Sequence, residues 1–427
     1  MFKAYQKFIF KSGLRLVTVP IKNTQAVTVL VLVGAGSKYE TKEKNGISHF
    51  LEHMFFKGTK KRQNTAKLIE PLDKIGGEYN AFTGQEATGY WAKVSFQHLD
   101  VALDWVSDIF LNSKFDVEEI EREKNVVIEE INMYLDEPRR YVNDLWDKLL
   151  YGDQPAGWLV IGEKRTVSQI QREDIFNYLS DHYSAKNTVI CLAGNIGNIE
   201  KLKKRIGQLF ATVNIKNPKP RQRVVFNQRK PEVLIHYKKT DQTHLCLGVR
   251  GYNLFHPDRY VLRVINALLG GGMSSRMWIA IRERKGLAYY VSVYSHEDLD
   301  AGFLVTQAGV NNQKLEESIK EILHQFVLIR DKKISSKELK KVKDFIMGSA
   351  VLNMESSDAQ ASFYAHQELM ENRILTLDQI FAKIKAVDKE DILRVAKNIF
   401  QPEKLNLALI GPFREKEKNK IAKLLKI

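Results

Sequence analysis

His49, Glu52 and His53 lie within one run of five residues, His49-Phe50-Leu51-Glu52-His53. The order is H-x-x-E-H, the reverse of the commoner H-E-x-x-H zinc pattern. On a helix, residues three and four apart share a face, so both imidazoles and the carboxylate project together. Two neutral imidazoles can hold a divalent cation, and a carboxylate beside them can act as base toward water. That is the minimum kit for metal-assisted hydrolysis. Three fixed positions also arise by chance on solvated helices, so the neighbours carry weight. Gly46 and Ser48 can start a helix, Leu51, Met54 and Phe55 give it apolar bulk, and Gly58 can end it. Buried His and Glu need partners, and a metal supplies them.

A catalytic zinc takes three protein ligands, so a third is expected elsewhere. The segment Glu118–Leu135 supplies it when placed on a helical wheel. Ile120, Val127, Ile128, Ile131, Tyr134 and Leu135 form the apolar face. Glu129 points away from that face, whereas Glu123 and Glu130 fall on its edge, two turns apart. Glu130 is therefore assigned as the third ligand, and Glu123 as a carboxylate that orients a ligating histidine. Without the histidine pair, both glutamates would read as lysine partners on an amphipathic helix.

The elements that position these groups read as a duplicated α/β unit. Ala26–Val33 is strand-like and leads to the His49 helix. A second helix (65–75), a strand (79–94), helices through about Leu150 and a strand (188–193) follow. Asn217-Pro218-Lys219-Pro220-Arg221 opens a polar, proline-marked linker running to about Pro231. The second half repeats the order: strand 245–249, helix 257–269, helix 278–285 and strand 289–294. Aligning Gly58 with Gly270 sets Val261, Val264 and Ile265 against His49, Glu52 and His53, so the second half has no metal kit. The expected division is 1–216, linker 217–231 and 232–427.

With these residues in hand, the sequence resembles the pitrilysin/insulinase family of inverzincin zinc metallopeptidases, and most of all its mitochondrial-processing-peptidase-like branch. The resemblance rests on GISHFLEHMFFKGT (46–59), GGEYNAFTGQEATGYW (76–91), EREKNVVIEEINMYLDEP (121–138), and LGGGMSSRM with IRERKGLAYYV (269–291). It implies an α+β fold of two homologous α/β-roll halves, each a mostly antiparallel sheet packed with helices, closing as a clamshell. It implies one zinc ion per chain and endopeptidase action on peptides or unfolded segments inside a chamber. An exposed strand edge can pair with an extended peptide whatever its sequence. In resembling enzymes the strand holding Asn80, Ala81 and Phe82 is that edge. Arg282 and Tyr289 match residues that reach the substrate from the metal-free half, the tyrosine donating to the oxyanion.

Two other readings accompany that one. Some relatives need a metal-free partner chain, and others are noncatalytic structural or chaperone-like subunits. Retention of the metal kit together with Arg282 and Tyr289 favours a self-sufficient homodimer.

Composition excludes several classes. The 427 residues are 44% hydrophobic, enough for more than one core. Cys191 and Cys246 lie far apart with no close partner, which argues against a disulfide framework or a thiolate metal site and suits a reducing compartment. Met1–Lys7 lacks a signal-peptide pattern, and Ala26–Ala35 is too short to span a bilayer. A cytoplasmic location without membrane attachment is expected. The net charge of +15 is spread along the chain without a nucleic-acid module. Gly270-Gly271-Gly272 lacks the Lys-Ser/Thr of a phosphate loop.

Overall fold

The computed structural model describes residues 4–427, so Met1–Lys3 of the amino-terminal stretch lie outside the described residues. The chain forms two compact units. The first comprises Met1–Asn132, Leu159–Gln222 and Leu352–Thr376, and the second Met133–Trp158, Arg223–Val351 and Leu377–Ile427. The chain passes between them at Asn132/Met133, Trp158/Leu159, Gln222/Arg223, Val351/Leu352 and Thr376/Leu377, and the third of these passages falls within the expected linker 217–231. Segments 133–158 and 352–376 are exchanged between the two chain halves.

The first unit is built on a six-stranded sheet. Its strands are β1 (Gln6–Ile9), β2 (Arg15–Pro20), β3 (Ala26–Val33), β4 (Glu78–Thr83), β5 (Thr88–Ser95) and β6 (Thr188–Gly194), in the order β1-β2-β6-β3-β5-β4. Only β2 and β6 run parallel. β3 is apolar almost throughout because both its faces are covered. Its Leu30 and Leu32 join Val17, Val19, Val189 and Cys191 in a core closed by Ala361, Tyr364 and Ala365 of helix Ser357–Glu371. The helices α1 (Ile47–Met54), α2 (Thr65–Asp73), α3 (Leu99–Asn112) and α4 (Val117–Leu135) belong to the unit, as do helices Lys164–Ser168, Arg172–His182 and Ile199–Leu209, with α4 running three residues beyond it.

The single strand expected over 79–94 is instead the hairpin β4–β5. Gly84 and the polar Gln85-Glu86 break the run, and Gly84 N–H closes the turn on the Ala87 carbonyl at 2.8 Å. β4 is thereby left on the open edge of the sheet.

The second unit repeats the scheme on five strands: β7 (Glu232–Tyr237), β8 (Gln242–Arg250), β9 (Ala288–Glu297), β10 (Gly302–Asn311) and β11 (Leu405–Gly411). Their order β7-β11-β8-β10-β9 matches β2-β6-β3-β5-β4, and the one parallel pair, β7–β11, matches β2–β6. Helix α5 (Pro138–Tyr151) buries Val142, Leu145 and Trp146 against Cys246, Phe303, Val305 and Ala408. The expected helix 278–285 is a π-helix, Trp278–Arg284. Leu287 N–H reaches back to the Ile281 carbonyl at 2.8 Å, which widens its last turn. The architecture is thus α+β, two like units each with a mostly antiparallel sheet. Among the described residues no helix is long and apolar enough to cross a membrane.

Candidate metal centre

The helix that carries the motif has only eight residues, and its start is held from outside. Gly46 sits at φ 95°, where a side chain is strained, and a Cβ there would meet the backbone of Ile161 and Gly162 at 2.8 Å. Ser48 is not the cap. Its hydroxyl pairs with the Tyr178 hydroxyl at 2.7 Å. The free amides go to Glu40, whose carboxylate accepts from Gly46 N–H at 2.7 Å and Ser48 N–H at 2.8 Å. Burial raises the Glu40 carboxyl to about 7 even against these donors. At the other end the helix closes at Met54 and tightens into three-residue turns through Lys57. Gly58, at φ 118°, then ends the run.

On the half-buried face of α1, His49 Nε2 lies 3.8 Å from Glu130 Oε1, and His53 Nε2 lies 3.4 Å from Glu130 Oε2. The ligand atoms of the three residues all fall within 4.8 Å of one another, the one such group found among the described residues. Zinc ligands at about 2.0–2.1 Å in a tetrahedron stand roughly 3.3 Å apart, so the donors present fit such an ion. Glu130 comes from α4, where Glu129 is exposed and Glu123 buried. Glu123 Oε1 meets His53 Nδ1 at 2.8 Å, leaving Nε2 of that ring toward Glu130.

The electrostatics describe two unequal imidazoles. Burial, reinforced by the neighbouring His53, lowers His49 to about 4. Burial also opposes charge on His53, but bonds and charges from Glu123 and Glu130 outweigh it and raise that ring to about 9. Glu123 would be pushed up by burial, yet His53 and Lys57 hold it below the usual carboxylate range. The Lys57 ammonium is in contact with Glu123 Oε2.

Glu52 lies beside this group. Burial raises its carboxyl, opposed by a hydrogen bond from Thr83. Thr83 Oγ1 donates to Glu52 Oε2 at 2.5 Å, bringing the edge strand β4 against α1. On β4 the Asn80 side chain accepts from Ala81 N–H at 2.9 Å, and Ala81 is buried. Phe82 points to the other face of the sheet, stacked on His366 with ring centroids 6.0 Å apart. Arg282 and Tyr289 belong to the second unit and lie against each other, the guanidinium 5.4 Å from the tyrosine ring. Tyr289 is 73% exposed.

The structure thus brings His49, Glu52, His53, Glu123 and Glu130 into one group in the first unit. Sequence reasoning missed Glu40, Lys57 and Thr83. None of them has a motif spacing, and only the conflict of a short buried helix lacking its own side-chain cap hinted at Glu40.

The sequence profile of the insulinase family, peptidase family M16, matches residues 15–163, and that of the M16 inactive domain matches 169–345. A Bacillus subtilis chain described as an uncharacterized zinc protease is 37% identical over 412 residues, covering 95% of this chain and 98% of the relative. A Streptomyces coelicolor chain with the same description is 30% identical over 416 residues, covering 96% of this chain and 90% of the relative. The crystal structure of a Helicobacter pylori protease superposes with a TM-score of 0.89 at 26% identity, covering 96% of this chain and 99% of the other. The chain belongs to the pitrilysin/insulinase family of zinc metallopeptidases, peptidase family M16.

Proposed function

We propose that the chain is a zinc-dependent endopeptidase of peptides and unfolded segments, with His49, His53 and Glu130 as metal ligands and one zinc ion per chain. The observation that carries this reading is the convergence of these three donors beside a carboxylate on the same helix face. When bound, zinc polarises water and the scissile carbonyl. Glu52 accepts the proton of the attacking water and passes it to the leaving amine. Glu123 keeps the His53 ring turned so that Nε2 faces the metal position.

The open edge β4 pairs with an extended substrate through its backbone at Asn80, Ala81 and Phe82, which favours unfolded segments over compact proteins. Arg282 and Tyr289 of the second unit bind the substrate and donate to the oxyanion. Support comes from the exposure of Tyr289 and its contact with Arg282. Because one chain carries both sets, a homodimer in the cytoplasm suffices, and two unpaired buried cysteines suit a reducing compartment.

The test is cleavage of a quenched fluorescent peptide by the purified chain with and without chelator. Chelator-sensitive hydrolysis restored by zinc is expected. A zinc-loaded chain that cleaves no extended peptide would establish the noncatalytic role, and activity that appears only with a second, metal-free chain would establish the heterodimer.

A further inference from the structure

Glu52 accepts a hydrogen bond from one group among the described residues, the Thr83 hydroxyl, at 2.5 Å to Oε2. The other carboxylate oxygen, Oε1, has no such partner among them. A carboxylate on a flexible side chain rotates freely, and a base that must meet one water from one direction loses efficiency when it does. Thr83 is suited to stop that rotation. Its β-branched side chain has a stiff χ1. Its backbone closes the hairpin, opposite Thr88, whose own hydroxyl is fixed on the Ala35 carbonyl at 2.8 Å. Asn80 and Ala81 lie three and two positions earlier on the same strand.

We propose that Thr83 is a positioning residue for the general base, holding Glu52 by Oε2 so that Oε1 alone is presented to water. This rests on the reading of Glu52 as the base. Strand β4 then serves twice, pairing with the substrate backbone through its edge and orienting the base through its last side chain. The two roles separate in kinetics, because the substrate contacts set KM and the hydroxyl sets kcat.

The experiment compares Thr83→Val and Thr83→Ser in the zinc-loaded chain. Thr83→Val keeps shape and removes the donor. It should lower kcat about 10- to 100-fold, the range for a hydrogen bond to a charged group, with KM and zinc affinity unchanged. Thr83→Ser should recover most of the loss. In a Glu52→Gln background, Thr83→Val should change the residual rate no further, since no base remains to be oriented. Crystal structures of wild type and Thr83→Val provide a readout independent of turnover, with the Glu52 carboxylate expected in one orientation in the first and released in the second. An unchanged Glu52 orientation, an unchanged kcat, or a loss borne by KM alone would overturn the proposal. If the zinc-loaded wild type cleaves nothing, the peptidase reading fails, and the Glu52 orientation still decides what Thr83 does.

Discussion

The two units share one strand scheme and differ in what their corresponding helices carry. In the first, α1 turns His49, Glu52 and His53 toward Glu130. In the second, helix Arg259–Gly270 sets Val261, Val264 and Ile265 at the positions aligned with them, and all three are buried. A histidine and carboxylate cluster placed in such a core would lack partners and cost stability. The first unit sustains it through groups recruited from elsewhere: Glu40 at the helix start, Glu123 and Lys57 behind His53, and Thr83 beside Glu52. The comparison teaches that this sheet architecture does not depend on the histidine and carboxylate group, and that the supporting residues mark which copy carries it.

The largest test of that contrast is Glu130→Gln. It should strip most zinc and abolish turnover, while the exposed neighbour Glu129→Gln keeps both. Glu123→Gln should fall between, with zinc affinity reduced about 10- to 100-fold. Metal titration of the three variants decides, and equal effects at Glu129 and Glu130 would refute the assignment. Next, Glu52→Gln should retain stoichiometric zinc yet lose about 10²- to 10⁴-fold in kcat, the usual range for a general base. Metal loss in this variant would make Glu52 a ligand instead.

A smaller effect probes whether the second unit is chemically silent. Tyr289→Phe removes a single hydroxyl and should cost roughly 100-fold in kcat if that group meets the oxyanion, with zinc content unchanged. A near-normal rate in this variant and in Arg282→Lys would confine all chemistry to the first unit.

The smallest effect is a pH dependence of metal uptake. His53 is raised to about 9 and so is protonated at neutral pH, whereas His49, lowered to about 4, is already neutral. Zinc requires both rings neutral, so uptake displaces one proton from His53. Apparent affinity should therefore rise with pH, about tenfold per unit between pH 6 and 8. Isothermal titration in buffers of different ionisation enthalpy counts the proton. A flat profile would mean that the ring is neutral before zinc arrives.

How much of this was legible in the sequence depended on distance along the chain. The face of α1 could be read because helical geometry alone sets its three side chains together, and the edge position of Glu123 and Glu130 followed from the same periodicity on α4. Thr83 lies 31 residues from the group it bonds and Glu40 lies before the helix, so neither belongs to any local period. The hairpin within 79–94 was hidden because strand-like residues run up to both sides of a four-residue turn. The exchanged segments were equally hidden. An amphipathic pattern tells that α5 and helix Ser357–Glu371 bury one face, but not which sheet receives it.

That exchange has a consequence for the order of events during synthesis. The first unit cannot be completed until Leu352–Thr376 has been made. A ribosome adding about 5–20 residues per second takes on the order of ten seconds to travel from the linker to that segment. Throughout that interval the β3 and β6 side chains destined for helix Ser357–Glu371, among them Leu30, Leu32 and Cys191, have no cover. His49, His53 and Glu130 are therefore translated early, but their sheet is sealed late. A nascent or truncated chain ending near the linker presents a sticky apolar surface rather than an independent peptidase, which makes the unfinished chain a client for chaperones.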